Sequence, residues 1–221
     1  MTRTIEQERP AIAAPGRRTR PRGLSALHQE QIEDSRQRIL AAAERAFTRN
    51  SYNATPVDTI ISIAGVSRAT FYKYFNSKFD VARGLIQAFM PRLNAVFDAL
   101  PDRPSPAEAQ QWLGRLLTLY EENRQATTLF GEVSGSEPEF FPQMIAFHDG
   151  LLAHLGQRIP AFAKAASGRP EHARVHVVAH LCIQHLFAFC TNVVSKNWDI
   201  DADAGARYLA VELSRFIAEN E

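Results

Sequence analysis

Cysteine is nearly absent: Cys182 and Cys190 are the only two in 221 residues. In a helical pattern eight residues separate them by about 12 Å along the axis, too far for a disulfide within one chain. Nothing here resembles the disulfide framework of a small secreted scaffold. Net charge is also missing, since 25 Lys and Arg stand against 24 Asp and Glu. No segment shows the period-two alternation of a strand or the turn spacing of a sheet. The start, MTRTIEQERP, has no apolar h-region, and a cytoplasmic protein is expected. No nucleophile–base pair and no metal-spaced carboxylate cluster is readable. No catalytic residue, cofactor or metal ligand set is therefore expected, and the protein does not read as an enzyme.

What is present is an apolar content of 45%, ordinary for a folded soluble chain and enough for a sizeable core. The neutral total hides an asymmetry. Residues 1–80 hold 13 Lys/Arg and 8 Asp/Glu, a balance of +5, and residues 81–221 hold 12 and 16, a balance of −4. A basic N-terminal third on an acidic remainder suggests a polyanion-binding module joined to a differently tasked body. From Val175 to Ser195 no residue is formally charged, a length that could cross a bilayer. Its three histidines, glutamine, threonine and asparagine are expensive in lipid and ordinary at a protein seam, so no membrane span is expected.

The chain reads as all-α, with about nine helices. Residues 1–30, with the Arg-rich cluster from Arg17 to Gly23, read as a disordered basic tail. From Glu33 an apolar stripe of Ile39, Ala42, Ala43, Ala46 and Phe47 marks a first helix that Asn50 and Ser51 stop. Thr55-Pro-Val-Asp58 reads as a capping start for a second, with Thr55 as N-cap and Asp58 closing the box. Gly65-Val66 makes a tight turn and Ser67 caps a third helix, the helix-turn-helix pattern. Ser77-Lys-Phe-Asp80 is another capping-box start, opening a fourth helix that Pro91 should kink or split. Pro101 to Pro106 reads as a linker, and further helical stripes run to Glu219. The expected organisation is a tail over 1–30, a DNA-binding domain over 31–78, and a ligand-binding and dimerisation domain over 79–221.

The segment "RQRILAAAERAFTRNSYNATPVDTIISIAGVSRATFYKYFNSKFDV", Arg36 to Val81, resembles the DNA-binding domain of the tetracycline-repressor (TetR) family of bacterial regulators. The combination of R-x-x-I-L-x-A-A, A-T-x-V-x-x-I, A-G-V-S and F-Y-x-Y-F-x-S-K carries the likeness, over about a fifth of the chain. Ser51 departs from the family pattern where many members have Gly, and Ala69 departs where Gly or Pro is frequent.

In a helix-turn-helix the N-terminal part of the second motif helix faces base edges in the major groove. Arg68 can then donate two hydrogen bonds to guanine, the commonest specific contact. Ser67 and Thr70 offer hydroxyls, Ala69 leaves room for close approach, and Lys73 can reach a base or a phosphate. The resemblance implies that Tyr72, Tyr74 and Lys78 bind phosphates, and that Thr55 clamps the backbone from the other side. Phe71 and Phe75 are expected in the core.

One such domain buries little surface on DNA, so a homodimer on a pseudo-palindromic double-stranded DNA operator is expected, formed through the apolar last two helices. The resemblance implies an interior pocket for an unidentified small-molecule effector. Phe89, Trp112, Leu116, Tyr120, Phe147, His148 and Leu151 are the candidate lining, and their aromatic content suggests an apolar or amphipathic ligand. His172, His176, His180 and Gln184 form one polar line on the penultimate helix, but no Asp, Glu or Cys completes that face as a metal set. The expected function is sequence-specific transcriptional regulation, by a repressor that the effector releases. An activator, or a DNA binder without effector, shares these features. The reading from another class is an enzyme or metal sensor built on the histidines.

Overall fold

The structure, a computed structural model, describes residues 22–196 and 198–221, with side chains from Glu33 onward. The described residues form ten α-helices and no strand: α1 (Arg22–Asn50), α2 (Val57–Ala64), α3 (Arg68–Tyr74), α4 (Lys78–Asp98), α5 (Pro106–Glu122), α6 (Arg124–Ser136), α7 (Phe140–Gly156), α8 (Pro160–Ala165), α9 (Ala173–Val194) and α10 (Ala202–Glu219). The expected tail is therefore helical over residues 22–30, where Leu24, Ala26, Leu27, Gln29 and Glu30 are good helix formers. Its remainder, including most of the Arg17–Gly23 cluster, lies outside the described residues.

Two apolar clusters organise the fold. The first joins Ile39, Ala43 and Phe47 of α1 to Ile60 of α2, Phe71 and Phe75 of the α3 region, and Phe79 and Ala82 of α4. Leu129 and Val133 of α6 also belong to it, so residues beyond the first four helices help close this core. The second takes Phe89, Leu93 and Phe97 of α4 with α5, α7, α8, α9 and α10. Helix α4 thus has one end in each core. It runs unbroken through Pro91; flanking side chains buried in both cores hold a helix that the missing proline N–H would otherwise weaken.

Local sequence signals set the helix ends. Ser67 and Ser77 accept the backbone N–H of Thr70 and Asp80 respectively. The Asp80 carboxylate turns back to Asn76 rather than to the Ser77 N–H, so the second capping box is half formed. Ser105-Pro-Ala-Glu108, overlapping the end of the expected linker, makes a complete capping box that starts α5. Gly65 has φ +62° and ends α2, and Arg38 Nη2 reaches across from α1 to donate to Ala64 O at 2.7 Å. That bond satisfies a helix-terminal carbonyl and fixes the turn between α2 and α3.

At the end of α1, Ser51 adopts φ +64°, a left-handed conformation that an L side chain resists by about 1–2 kcal/mol. Its hydroxyl returns little, accepting the Ala54 N–H at 3.5 Å. Ser51→Gly should stabilise the fold by about 0.5–1 kcal/mol after the glycine entropy term, a gain of roughly 1–4 °C in Tm for a chain of this size. A thermal melt showing an unchanged or lower Tm would contradict that account of the turn.

Helix α9, with the 3-10 turn before it, is long and apolar enough to cross a membrane by length and composition alone. In the fold it buries Ala179, Ile183, Leu186, Phe187 and Cys190 in the second core. Among the described residues, its exposed apolar side chains are Val177, Val178 and Leu181; Val178 and Leu181 share a cleft with Tyr208 of α10, and Val211 of α10 is exposed as well.

Candidate functional site

Helix α3 has two faces. Phe71 and Phe75 are buried in the first core, while Arg68, Ala69, Tyr72 and Lys73 are exposed, with Tyr72 at 50%. Positions 68 and 72, and 69 and 73, lie one turn apart and so share a surface. Thr70 and Tyr74 are half-buried between the faces, and Tyr74 packs against the core. The Ser67 and Thr70 hydroxyls lie 2.8 Å apart and engage each other. Arg68 is already partnered: its Nη2 donates to Asp58 Oδ2 of α2 at 2.6 Å, with both side chains well exposed. Asp58, read from sequence as a cap, is instead the anchor of the guanidinium. The Lys73 ammonium lies 5.5 Å from the Tyr74 ring centroid.

Two expected phosphate contacts sit elsewhere. Thr55 is only 1% exposed, and its hydroxyl donates to Ser51 O at 2.6 Å and lies 3.4 Å from Ala46 O. Pro56, not Thr55, is the N-cap of α2, and no side chain caps that end. Thr55 thus closes the end of α1 and has no free surface for a backbone clamp. Lys78 donates to Tyr52 O at 2.8 Å, with its ammonium 4.2 Å from the Tyr52 ring centroid. The same Tyr52 is fully buried, its N–H donates to Glu132 of α6 at 2.5 Å, and its hydroxyl donates to Glu137. Burial and that carboxylate hold the phenol far above its ordinary pKa, so it remains a donor. The α1–α2 loop is thereby tied to α6, a contact no local sequence signal announces.

Residues 39–85, the segment that carries this geometry, match the family described as bacterial regulatory proteins, tetR family. The likeness to the TetR family rests on this segment, about a fifth of the chain. Curated relatives are named as helix-turn-helix regulators. EthR of Mycolicibacterium smegmatis is 33% identical over 112 residues, 49% of this chain and 51% of the relative. TtgR of Pseudomonas putida is 35% identical over 72 residues, 33% of this chain and 32% of the relative. The chain spans about half the length or less of these relatives. A solved TetR-family regulator from Syntrophomonas wolfei shares the fold, with a TM-score of 0.61 at 18% identity over 84% of this chain and 96% of that one. FadR of Bacillus subtilis, solved with stearoyl-CoA, aligns with a TM-score of 0.53 at 17% identity over 82% and 98%.

The interior is more tightly filled than its aromatic content suggests. Phe89, Tyr120 and Phe147 line an apolar cavity with Phe130 and Phe187, but its volume is only about 20 Å³. Trp112, Leu116 and Leu151 are buried core and line none of the described cavities. Trp112 spends its indole N–H on Val96 O at 2.7 Å, as a buried indole must. A larger opening of about 720 Å³ lies between α6, α7 and α9, with Phe130, Met144, Gln184, Phe187 and Asn192 on its walls. His148 also faces it: the side chain is buried and its Nε2 has no partner. Burial first, then the neighbouring His180, push this imidazole down to about 4, so it is neutral at pH 7. Another cleft, about 570 Å³, lies between α1, α4 and α6 and is ringed by Glu44, Arg92, Arg124 and Glu132.

The histidine line of α9 is engaged across the helix seams. His172 Nδ1 lies 2.8 Å from Ser167 Oγ, His176 Nδ1 is 3.0 Å from Ala165 O, and His180 Nε2 is 2.8 Å from Asp149 Oδ1 of α7. No carboxylate completes this face along α9, but one does from α7.

Proposed function

We propose that this chain is a sequence-specific DNA-binding transcriptional regulator, a repressor that an apolar or amphipathic small molecule releases from its operator. The observation that carries the reading is the exposed α3 face, where Arg68, Ala69, Tyr72 and Lys73 project from a helix anchored by Phe71 and Phe75. A guanidinium, a small residue, a phenol and an ammonium at helical spacing match a base edge flanked by phosphates. Arg68 reads a guanine and Ala69 lets the helix approach. Ser67 and Thr70 contact the groove edge, and Lys73, Tyr72 and Tyr74 take phosphates.

One such surface buries little DNA, and a second copy supplies the other half-site. The exposed Val177, Val178 and Leu181 of α9 and Tyr208 and Val211 of α10 form the seam of a two-fold dimer. Effector binding enters through the opening between α6, α7 and α9. Its aromatic walls, Gln184, Asn192 and the unpartnered His148 Nε2 suit an amphipathic molecule. Phe130 and Phe187 are shared with the small apolar cavity behind it, so an apolar tail that expands this cavity presses on Phe89 and Met90 of α4. Helix α4 ends against α3, and Tyr52 ties the α1–α2 loop to α6, so both helices transmit the displacement. A coupling of about 1–3 kcal/mol is sufficient for such release.

The first test is salt-dependent binding to a random-sequence duplex, followed by fluorescence anisotropy. Two copies that each bring Lys73 to a phosphate neutralise about two phosphates, which lowers affinity about 10-fold between 50 and 200 mM salt. Absence of duplex binding at 50 mM salt, or binding indifferent to salt, would overturn the DNA-reading role.

A further inference from the structure

We propose that Asp149, His176 and His180 form a binding site for a divalent transition metal of the zinc class, across the seam between α7 and α9. Each residue offers one ligand atom, and these atoms all lie within 4.8 Å of one another. A tetrahedral zinc site holds N and O ligands at about 2.0–2.2 Å, hence about 3.4 Å apart, so small side-chain rotations bring the three onto one ion. His176 and His180 are one turn apart on α9, with ring centroids 4.5 Å from each other.

The tautomer of His176 is already suitable. The carbonyl of Ala165 can only accept, so His176 carries its proton on Nδ1 and presents a lone pair on Nε2. A ligating imidazole that donates its other N–H to a backbone carbonyl is the usual outer support of a metal site, fixing both ring orientation and basicity. At His180 the Nε2–Asp149 hydrogen bond of 2.8 Å marks where the ion enters, replacing the shared proton. Asp149 is half-exposed, which leaves a path for the ion and room for water as fourth ligand. Two imidazoles and one carboxylate favour zinc, cobalt or nickel over magnesium or calcium, which prefer all-oxygen shells.

Such an ion would fasten α7 to α9 beside the end of α8, next to the wall where His148 faces the opening. The metal site stands on its own geometry and does not depend on the DNA-reading role. The test is a cobalt titration of the full chain, stripped of metal, followed by visible absorption. Expected is one saturating equivalent per chain with the intense bands of a tetrahedral site, displaced by zinc and unaffected by magnesium. Asp149→Asn and His176→Gln should each weaken binding at least tenfold while far-UV circular dichroism shows the helices intact. His154→Gln, which removes another exposed histidine paired with an aspartate, should change nothing. A titration without a saturable equivalent, or one that Asp149→Asn and His176→Gln both leave unaltered, would overturn the assignment.

Discussion

Leu181→Asp should leave a folded monomer whose affinity for a two-half-site operator is lower by at least about 100-fold. The side chain is 45% exposed on α9, beside Val177 and Val178 and near Tyr208 of α10, which is 64% exposed. Position 181 is 45% exposed at the rim of a cleft it shares with the buried Leu186 and Leu213, so an aspartate can turn to water and Tm of the isolated subunit should change little. In a dimer the same carboxylate sits in an apolar seam opposite its own copy, where an unpaired charge is strongly disfavoured. Loss of the dimer turns the second half-site contact from an intramolecular event into an independent one, and linkage of this kind is worth about 10²–10⁴ in affinity. Sedimentation of the variant, together with an anisotropy titration on the operator, separates the two steps. A variant that remains dimeric would move the interface elsewhere.

Arg68→Ala should lower affinity for the cognate operator about 5- to 150-fold, the equivalent of about 1–3 kcal/mol, and relax the preference at one base pair of each half-site. Affinity for random duplex should fall much less, because Lys73 and Tyr72 still meet the phosphates. The Asp58 pair refines this expectation. An exposed ion pair contributes only about 0–1 kcal/mol, so DNA can take the guanidinium from Asp58 easily. Until then Asp58 orients the fork and places a negative charge where a phosphate would come. Asp58→Asn should therefore raise affinity for random duplex more than for the operator, and so compress the ratio between them. An unchanged ratio would show that Asp58 neither orients nor restrains Arg68.

The faces of α3 were legible in the sequence because aromatics and cations at helical spacing sort by burial, and Phe71, Phe75, Arg68 and Tyr72 lie where that rule puts them. Helix ends were legible where a serine precedes the helix, at Ser67 and Ser77. Thr55 misleads for a physical reason. A threonine before a proline has the chemistry of a cap, but the end of α1 lies closer to its hydroxyl than the first turn of α2 does. Contacts between distant segments carry no local signature: the Tyr52 bonds to Glu132 and Glu137 span 80 and 85 residues, and Asp149 meets His180 across 31. The aromatic residues of the second core signalled a core as readily as a pocket, and packing decides between them. Trp112 and Leu116 fill space, whereas His148, expected in the same lining, faces an opening with one nitrogen unpartnered.

The central claim is that two copies of the α3 face read a defined DNA sequence, and selection from a random duplex library by the purified chain tests it most directly. Sequencing of the retained fragments should converge on one inverted repeat, its half-sites separated by about one helical turn or a multiple of it, with a guanine at the position that Arg68→Ala relaxes. Retained fragments that stay as random as the starting library would contradict it.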